Sequence, residues 1–221
     1  MAEKVKEQDF IELNYTGKLT DGTVFDTTEE KVAKDSNVYE EKTKFGPATI
    51  CIGEQQLLPG LEKELVGKEI GKEYTIELKP EEAFGKRDVK NMRIMPMSAF
   101  KEHNMQPQPG LQIDVDGRMG TISRVSGGRI IVNFNHPLAG KEVVYQVKIL
   151  RKVEDNEEKI RAYLNTTLKV PEEKIIVEIK EEKASVDLPT QLPEQFTEMI
   201  GKRLAELLKL KEVNFVKKES K

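Results

Sequence analysis

Apolar and polar positions alternate along residues 9–19, where Ile11, Leu13 and Tyr15 are separated by polar neighbours. A period of two marks a strand with one buried face. Asp21-Gly22 follows as a tight-turn pair, and Thr23-Val24-Phe25 resumes the strand pattern, so the chain opens with a hairpin. Residues 27–46 are charged and irregular and predict a surface loop, after which Ala48–Ile52 returns to strand character. Leu57, Leu58, Leu61 and Leu65 then fall at i, i+1, i+4 and i+8, the apolar stripe of a short helix. Pro59 fits such a helix only in its first turn, where the missing N–H has no partner to lose. Tyr74, Ile76 and Leu78 alternate as a further strand, and Val143, Tyr145, Val147 and Ile149 as the last of this unit. One short helix against five strands predicts an α+β unit with a mostly antiparallel sheet.

A second pattern interrupts the first. Met92–Met97, Leu111–Val115, Met119–Val125 and Ile130–Phe134 predict strands, the middle pair joined at Asp116-Gly117 and the last pair at Gly127-Gly128. After residue 153 a third pattern begins. Asp155 with Glu158 three positions on has the form of a capping box, and Ile160, Tyr163, Leu164 and Leu168 follow at helical spacing. Ile175–Ile179 and Ala184–Leu188 predict strands. Pro193 opens a second helix with Phe196, Met199, Ile200, Leu204, Leu207 and Leu208 on one face, and Val213–Val216 predicts a final strand. The order is α-β-β-α-β. That helix face either packs within the chain or pairs two protomers.

Composition narrows the possible functions. The 221 residues carry 36 basic and 39 acidic side chains, a net charge of −3 with the signs interspersed. Such a surface has neither the basic footprint of a nucleic-acid binder nor a patch for anionic membranes. No apolar run approaches the ~20 residues needed to span a bilayer, and the charged first residues do not form a secretory signal. One cysteine allows no internal disulfide, which fits a reducing compartment, so a cytosolic location is expected. His103, His136 and Cys51 have no metal-ligand spacing, and the chain ends in Lys217–Lys221 without a His- or Cys-rich tail. Neither a metal nor a cofactor is expected.

Four blocks, in order, carry a resemblance. They are Tyr15–Asp26 (YTGKLTDGTVFD), Ile52–Gly71 with its Leu-Leu-Pro-Gly-Leu-Glu core, Pro80–Gly85 (PEEAFG), and Asn135–Gly140 (NHPLAG) followed by Val143–Val147. Together they resemble FK506-binding-protein (FKBP) type peptidyl-prolyl cis-trans isomerases of the SlyD-like kind, in their long archaeal form. The resemblance implies an FKBP-like antiparallel sheet wrapped on a short helix, formed by residues 1–87 and 134–153. It implies an insert-in-flap chaperone domain at 88–133, and layout sets residues 154–221 apart as a C-terminal α/β domain, read as a dimerisation element.

The implied chemistry needs no nucleophile. Rotation about an Xaa–Pro bond is slow because amide resonance sets a barrier of ~20 kcal/mol. An apolar pocket that strips water from the bond and fits its twisted form lowers that barrier. By the resemblance the walls are Tyr15, Phe25, Leu57, Leu58, Leu61, Phe84 and Tyr145, with Asp26 as the polar group at the rim. Taken singly, the leucines read as core, whereas Phe25-Asp26 and Phe84 within their motifs read as functional. Phe84 stands where many relatives carry a tyrosine, Leu61 where many carry a tryptophan, and Ala48 where an aromatic wall is frequent. These departures bear on tight macrolide binding more than on isomerisation. Met92, Met95, Met97, Met105 and Met119, five of the seven methionines, either fill a small core or form an adaptable client-binding surface. The expected partners are unfolded or proline-containing polypeptides and a second copy of the chain through residues 154–221. The rival reading is a holdase-type chaperone with little isomerase activity.

Overall fold

A computed structural model describes residues 2–102 and 104–216. His103 and Lys217–Lys221 lie outside the described residues. Two compact units emerge, one made of residues up to Glu77 and from Val143 onward, the other of Leu78–Glu142.

The first unit begins with β1 (Phe10–Leu19), β2 (Val24–Thr27), α1 (Glu30–Asp35), β3 (Ala48–Cys51), α2 (Pro59–Leu65) and β4 (Glu73–Leu78). In the five-stranded sheet the order is β2-β1, then the returning strand of residues 143–152, then β4, with β3 also paired to β1. β1 is long enough to run antiparallel to two short strands on one side, β2 at Thr16–Lys18 and β3 at Phe10–Leu13. Its alternation buries Ile11 and Leu13 completely. Pro59 does occupy the first turn of α2, whose Leu61 and Leu65 have no exposure. The expected α+β class is thus met. The expected irregular loop over 27–46 is corrected at α1: a Lys34–Glu30 ion pair spans one helical turn, and Ala33 is buried beneath it.

The second unit contains β5 (Met92–Pro96), α3 (Met97–Glu102), β6 (Gln112–Val115), β7 (Arg118–Ser126) and β8 (Arg129–Asn133). They make a four-stranded antiparallel sheet in the order β5-β8-β7-β6. Its core is Phe100, Ile113, Ile122, Ile130 and Val132. The strand expected over Met92–Met97 ends one residue early, and Met97 instead starts α3. Pro96 is the last residue of the ladder, a strand end where its missing N–H is tolerated, and Phe100 then turns inward as the helix's buried residue.

The first unit resumes with β9 (Val143–Lys152), antiparallel to β1 along nearly its whole length. It continues through α4 (Asn156–Leu168), β10 (Ile176–Lys180), β11 (Lys183–Asp187), α5 (Glu194–Leu208) and β12 (Glu212–Phe215). β10 and β11 are antiparallel, while β12 is parallel to β11. Parallel neighbours need a crossover, which α5 supplies. A Cβ on Gly201 would stand 2.5 Å from the Val213 carbonyl, so only glycine lets α5 pack this closely on β12. Asp155 caps α4 by accepting the Glu158 N–H at 2.7 Å. The Glu158 carboxylate turns to Arg151, which also holds Glu12 at 2.6 Å.

Apolar residues between 154 and 215 share a core with the sheet that precedes them. Phe10, Cys51 and Val153 lie in one apolar cluster with Ile160, Leu164, Val186 and Leu204. Of the apolar face expected on α5, Ile200, Leu204, Leu207 and Leu208 are buried within the chain. Phe196 and Met199 remain 36% and 59% exposed.

Candidate active site

The hairpin of β1 and β2 is locked by threonine hydroxyls. Thr16 and Thr27 hydroxyl oxygens lie 2.8 Å apart, and the Tyr15 N–H donates to the Thr28 hydroxyl at 3.0 Å. The Tyr15 carbonyl accepts from the Thr27 hydroxyl at 3.1 Å and from the Thr28 N–H at 3.0 Å. Tyr15 is therefore fixed at both backbone ends before its side chain makes any contact.

Its phenol then donates to Asp26 at 3.0 Å. The Tyr15 and Tyr145 rings lie 5.9 Å apart at 52°, and Phe25 meets Tyr145 edge-on at 5.9 Å and 80°. Edge-to-face and tilted pairs at this spacing are the favoured aromatic geometries. Burial, and after it the Asp26 charge, hold both phenols above the ordinary tyrosine range. Tyr15 and Tyr145 stay protonated at neutral pH, so the Tyr15 hydroxyl is a donor and Asp26 an acceptor. The result is an aromatic wall, Tyr145 buried and Tyr15 and Phe25 half-buried, with an exposed carboxylate at its edge.

A register shift makes this geometry. Gly17 pairs with Asp26 on one side and Tyr145 on the other, but Lys18 pairs with Val24, so Phe25 is the extra residue of a bulge. Bulges re-aim side chains, and here the Phe25 ring is laid over Gly17. A Cβ on Gly17 would be 2.8 Å from that ring and 3.0 Å from Tyr145. Gly17 lies in the sequence motif, yet the reason for it appears only with the bulge.

The remaining predicted residues fall in two places. Leu57 and Leu58 are half-buried in the turn that enters α2, and Leu61 is wholly buried on the helix beneath them. Phe84 lies in the other unit, its ring stacked flat on His136 at 4.7 Å. The structure thus brings Tyr15, Phe25, Asp26 and Tyr145 into one contact set and puts the leucines together at the start of α2. Sequence reading missed Glu62. It is 5% exposed, and its carboxylate accepts the N–H of Gly53 at 2.9 Å, Gln55 at 3.3 Å and Leu57 at 2.8 Å. Nothing in the alternating charges around Glu62 marks it as the buried one.

In the inserted unit the five methionines are divided. Met95 and Met97 pack half-buried on the core, Met92 is half-buried on β5, and Met105 and Met119 are 39% and 61% exposed. Met95 and Met105 line a groove of ≈ 360 Å³ with Ala99, Phe100, Ile113 and Val115. Glu102, Asp114 and Asp116 stand at the same groove. Among the described residues no group of three or more His, Cys, Asp or Glu could hold a metal ion. No helix there is long and apolar enough to cross a membrane.

Comparison with known proteins gives the site a context. Residues 1–101 match the model of the FKBP-type peptidyl-prolyl cis-trans isomerase family, and residues 93–138 match that of the FKBP26 IF domain. The short-type peptidyl-prolyl cis-trans isomerase of Methanocaldococcus jannaschii is 32% identical over 149 residues, 67% of this chain and 94% of that protein. The FKBP-type 16 kDa peptidyl-prolyl cis-trans isomerase of Escherichia coli is 30% identical over 155 residues, 68% of this chain and 95% of that one. The FKBP-type isomerase SlyD of Helicobacter pylori is 32% identical over 133 residues, 58% of this chain and 68% of SlyD.

Proposed function

Because the chain belongs to the FKBP-type peptidyl-prolyl cis-trans isomerase family, its reaction is rotation about Xaa–Pro bonds, and we propose that it performs this on unfolded polypeptides, with the aromatic set as the catalytic wall and the inserted β unit as the capture surface. The observation that carries this reading is the contact set of Tyr15, Phe25, Asp26 and Tyr145. No bond is made or broken in the reaction, so no nucleophile is required. Water stabilises the planar, charge-separated amide, and ring faces that replace this water favour the twisted form instead. The Tyr15 hydroxyl is committed to Asp26, which fixes the ring against which the proline turns.

The groove lined by Met95 and Met105 supports the capture role. Methionine adapts to many apolar shapes, and the carboxylates beside the groove favour clients with Lys or Arg flanking an apolar stretch. A captured chain has a high local concentration of prolines near the catalytic wall. Removing residues 88–133 should therefore slow catalysed refolding of a proline-limited protein about tenfold, while turnover of an Xaa-Pro tetrapeptide stays within about twofold. Equal losses on both substrates would refute capture and delivery. Aggregation suppression with no tetrapeptide turnover in the intact chain would instead favour the holdase reading.

The reading extends to setting and assembly. A cytosolic location is supported by the single, buried Cys51, and a homodimer by the exposed Phe196 and Met199 on α5. If a second copy covers them, Met199→Glu should shift the mass seen by light scattering from dimer to monomer. A wild-type chain that is monomeric at tens of micromolar would remove the dimer from the proposal.

A further inference from the structure

The turn that carries Leu57 and Leu58 is short of backbone support. Gly53 and Gln55 both have positive φ, 92° and 55°. For glutamine that conformation is strained and persists only where surrounding groups impose it. Glu62 imposes it from one side through the three N–H groups already described. From the other side the chain uses Glu54, whose side chain is only 10% exposed.

The Glu54 carboxylate is held from the C-terminal region. Arg203 of α5 meets its carboxylate with Nη2 at 2.5 Å and Nε at 3.1 and 3.3 Å to the two oxygens, and also holds Glu206 at 3.0 Å. Tyr163 of α4 donates its hydroxyl to the same carboxylate at 3.1 Å. Burial, and then the Glu54 charge, push the Tyr163 phenol up to about 12, so it remains a donor at any physiological pH. Beneath these contacts, Cys51 at the end of β3 is packed into the cluster built by α4 and α5. A two-pronged guanidinium contact fixes direction as well as distance. Glu54 is enclosed while Arg203 keeps 40% of its side chain exposed, so the contact matters more for the direction it fixes than for ion-pair energy, which is small for exposed partners.

We infer that Arg203 and Tyr163 are positioning residues for the isomerase site: through Glu54 they clamp the Gly53–Leu58 turn, so that the C-terminal region sets the place of Leu57 and Leu58. This rests on the assignment of those leucines to the substrate pocket. It goes beyond a role for residues 154–221 in assembly, because the clamp lies within one chain.

The test uses the full-length protein with Arg203→Met, Arg203→Lys, Tyr163→Phe, Glu54→Gln and the double variant Glu54→Gln/Arg203→Met. Two quantities are read: kcat and KM for an Xaa-Pro tetrapeptide, and amide hydrogen exchange of Gly53, Gln55 and Leu57. Arg203→Met should raise KM three- to tenfold with kcat changed less than twofold, and should speed exchange of the three amides while β1 and β9 keep their protection. Tyr163→Phe, which deletes one hydroxyl and keeps the ring packed, should move both readouts the same way by a smaller factor. Arg203→Lys should recover part of the loss, and the double variant should be no worse than Arg203→Met alone. Wild-type KM together with unchanged exchange in Arg203→Met and Tyr163→Phe would overturn the clamp. Faster exchange with unchanged KM would leave the turn clamped but place the pocket elsewhere, which overturns the positioning role. Strictly additive effects in the double variant would also overturn it.

Discussion

Phe25→Ala and Asp26→Ala should each lower kcat/KM for a short Xaa-Pro peptide about ten- to a hundredfold, equivalent to about 1.4–2.7 kcal/mol of barrier. The two act differently. Phe25→Ala removes the ring that lies over Gly17 and meets Tyr145 edge-on, so water should reach the wall against which the proline is proposed to turn. Asp26→Ala leaves the rings in place but releases the Tyr15 hydroxyl from its acceptor. The freed phenol then seeks another partner, and the wall loses its fixed orientation. Asp26 is exposed, so its loss should shift stability by no more than about 1 kcal/mol. An activity loss at nearly constant Tm is therefore the diagnostic result. Gly17→Ala attacks the same place from beneath, because its methyl would collide with the Phe25 ring. A protease-coupled isomerisation assay on the three variants decides the matter. Full activity in both Phe25→Ala and Asp26→Ala would mean that the catalytic wall lies elsewhere.

The second large effect is on stability. Glu62→Ala should destabilise the protein by about 3 kcal/mol, since hydrogen bonds to a charged acceptor contribute roughly 1.5–3 kcal/mol each and losses at one group are not additive. For a chain of this size that is a fall in Tm of about 6–12 °C. The physical cause is the number of donors left behind. The N–H groups of Gly53, Gln55 and Leu57 all point at this one carboxylate, and the side chain is almost wholly enclosed. Glu62→Gln keeps an acceptor but not the charge, and should recover roughly half of the loss. Thermal unfolding followed by circular dichroism measures both. A Tm within about 2 °C of wild type for Glu62→Ala would show that the turn is held by other groups.

The legible part of the molecule was local. Alternation at Ile11, Leu13 and Tyr15, the Asp21-Gly22 turn and the leucine stripe from Leu57 to Leu65 each lie within about ten residues, the range over which periodicity and turn chemistry act. They correctly predict β1, the hairpin and α2, and Asp155 correctly marks the start of α4. The short helix α1 was not legible, since its only inward anchor is Ala33 and no stripe of large apolar residues marks it. Nor was the start of α3 at Met97, because an apolar run of methionines reads equally as strand or helix.

The sequence by itself determined the class of the fold, the order of its strands together with α2, α4 and α5, and four motif blocks that name a family. It also placed Tyr15, Phe25 and Asp26 in one hairpin, because that hairpin is a local object. Only the tertiary structure decided what those residues do to one another. Phe25 meets Tyr145 across Gly17 only because β9 pairs with β1 on the side away from the bulge. The burial of Glu62, two positions before the exposed Glu64, depends on which face of α2 is covered. The contacts of Glu54 with Tyr163 and Arg203 join residues 109 and 149 positions apart. Partners so distant cannot be read from spacing, because a side chain has no preference for another until packing has paid the entropy of bringing them together.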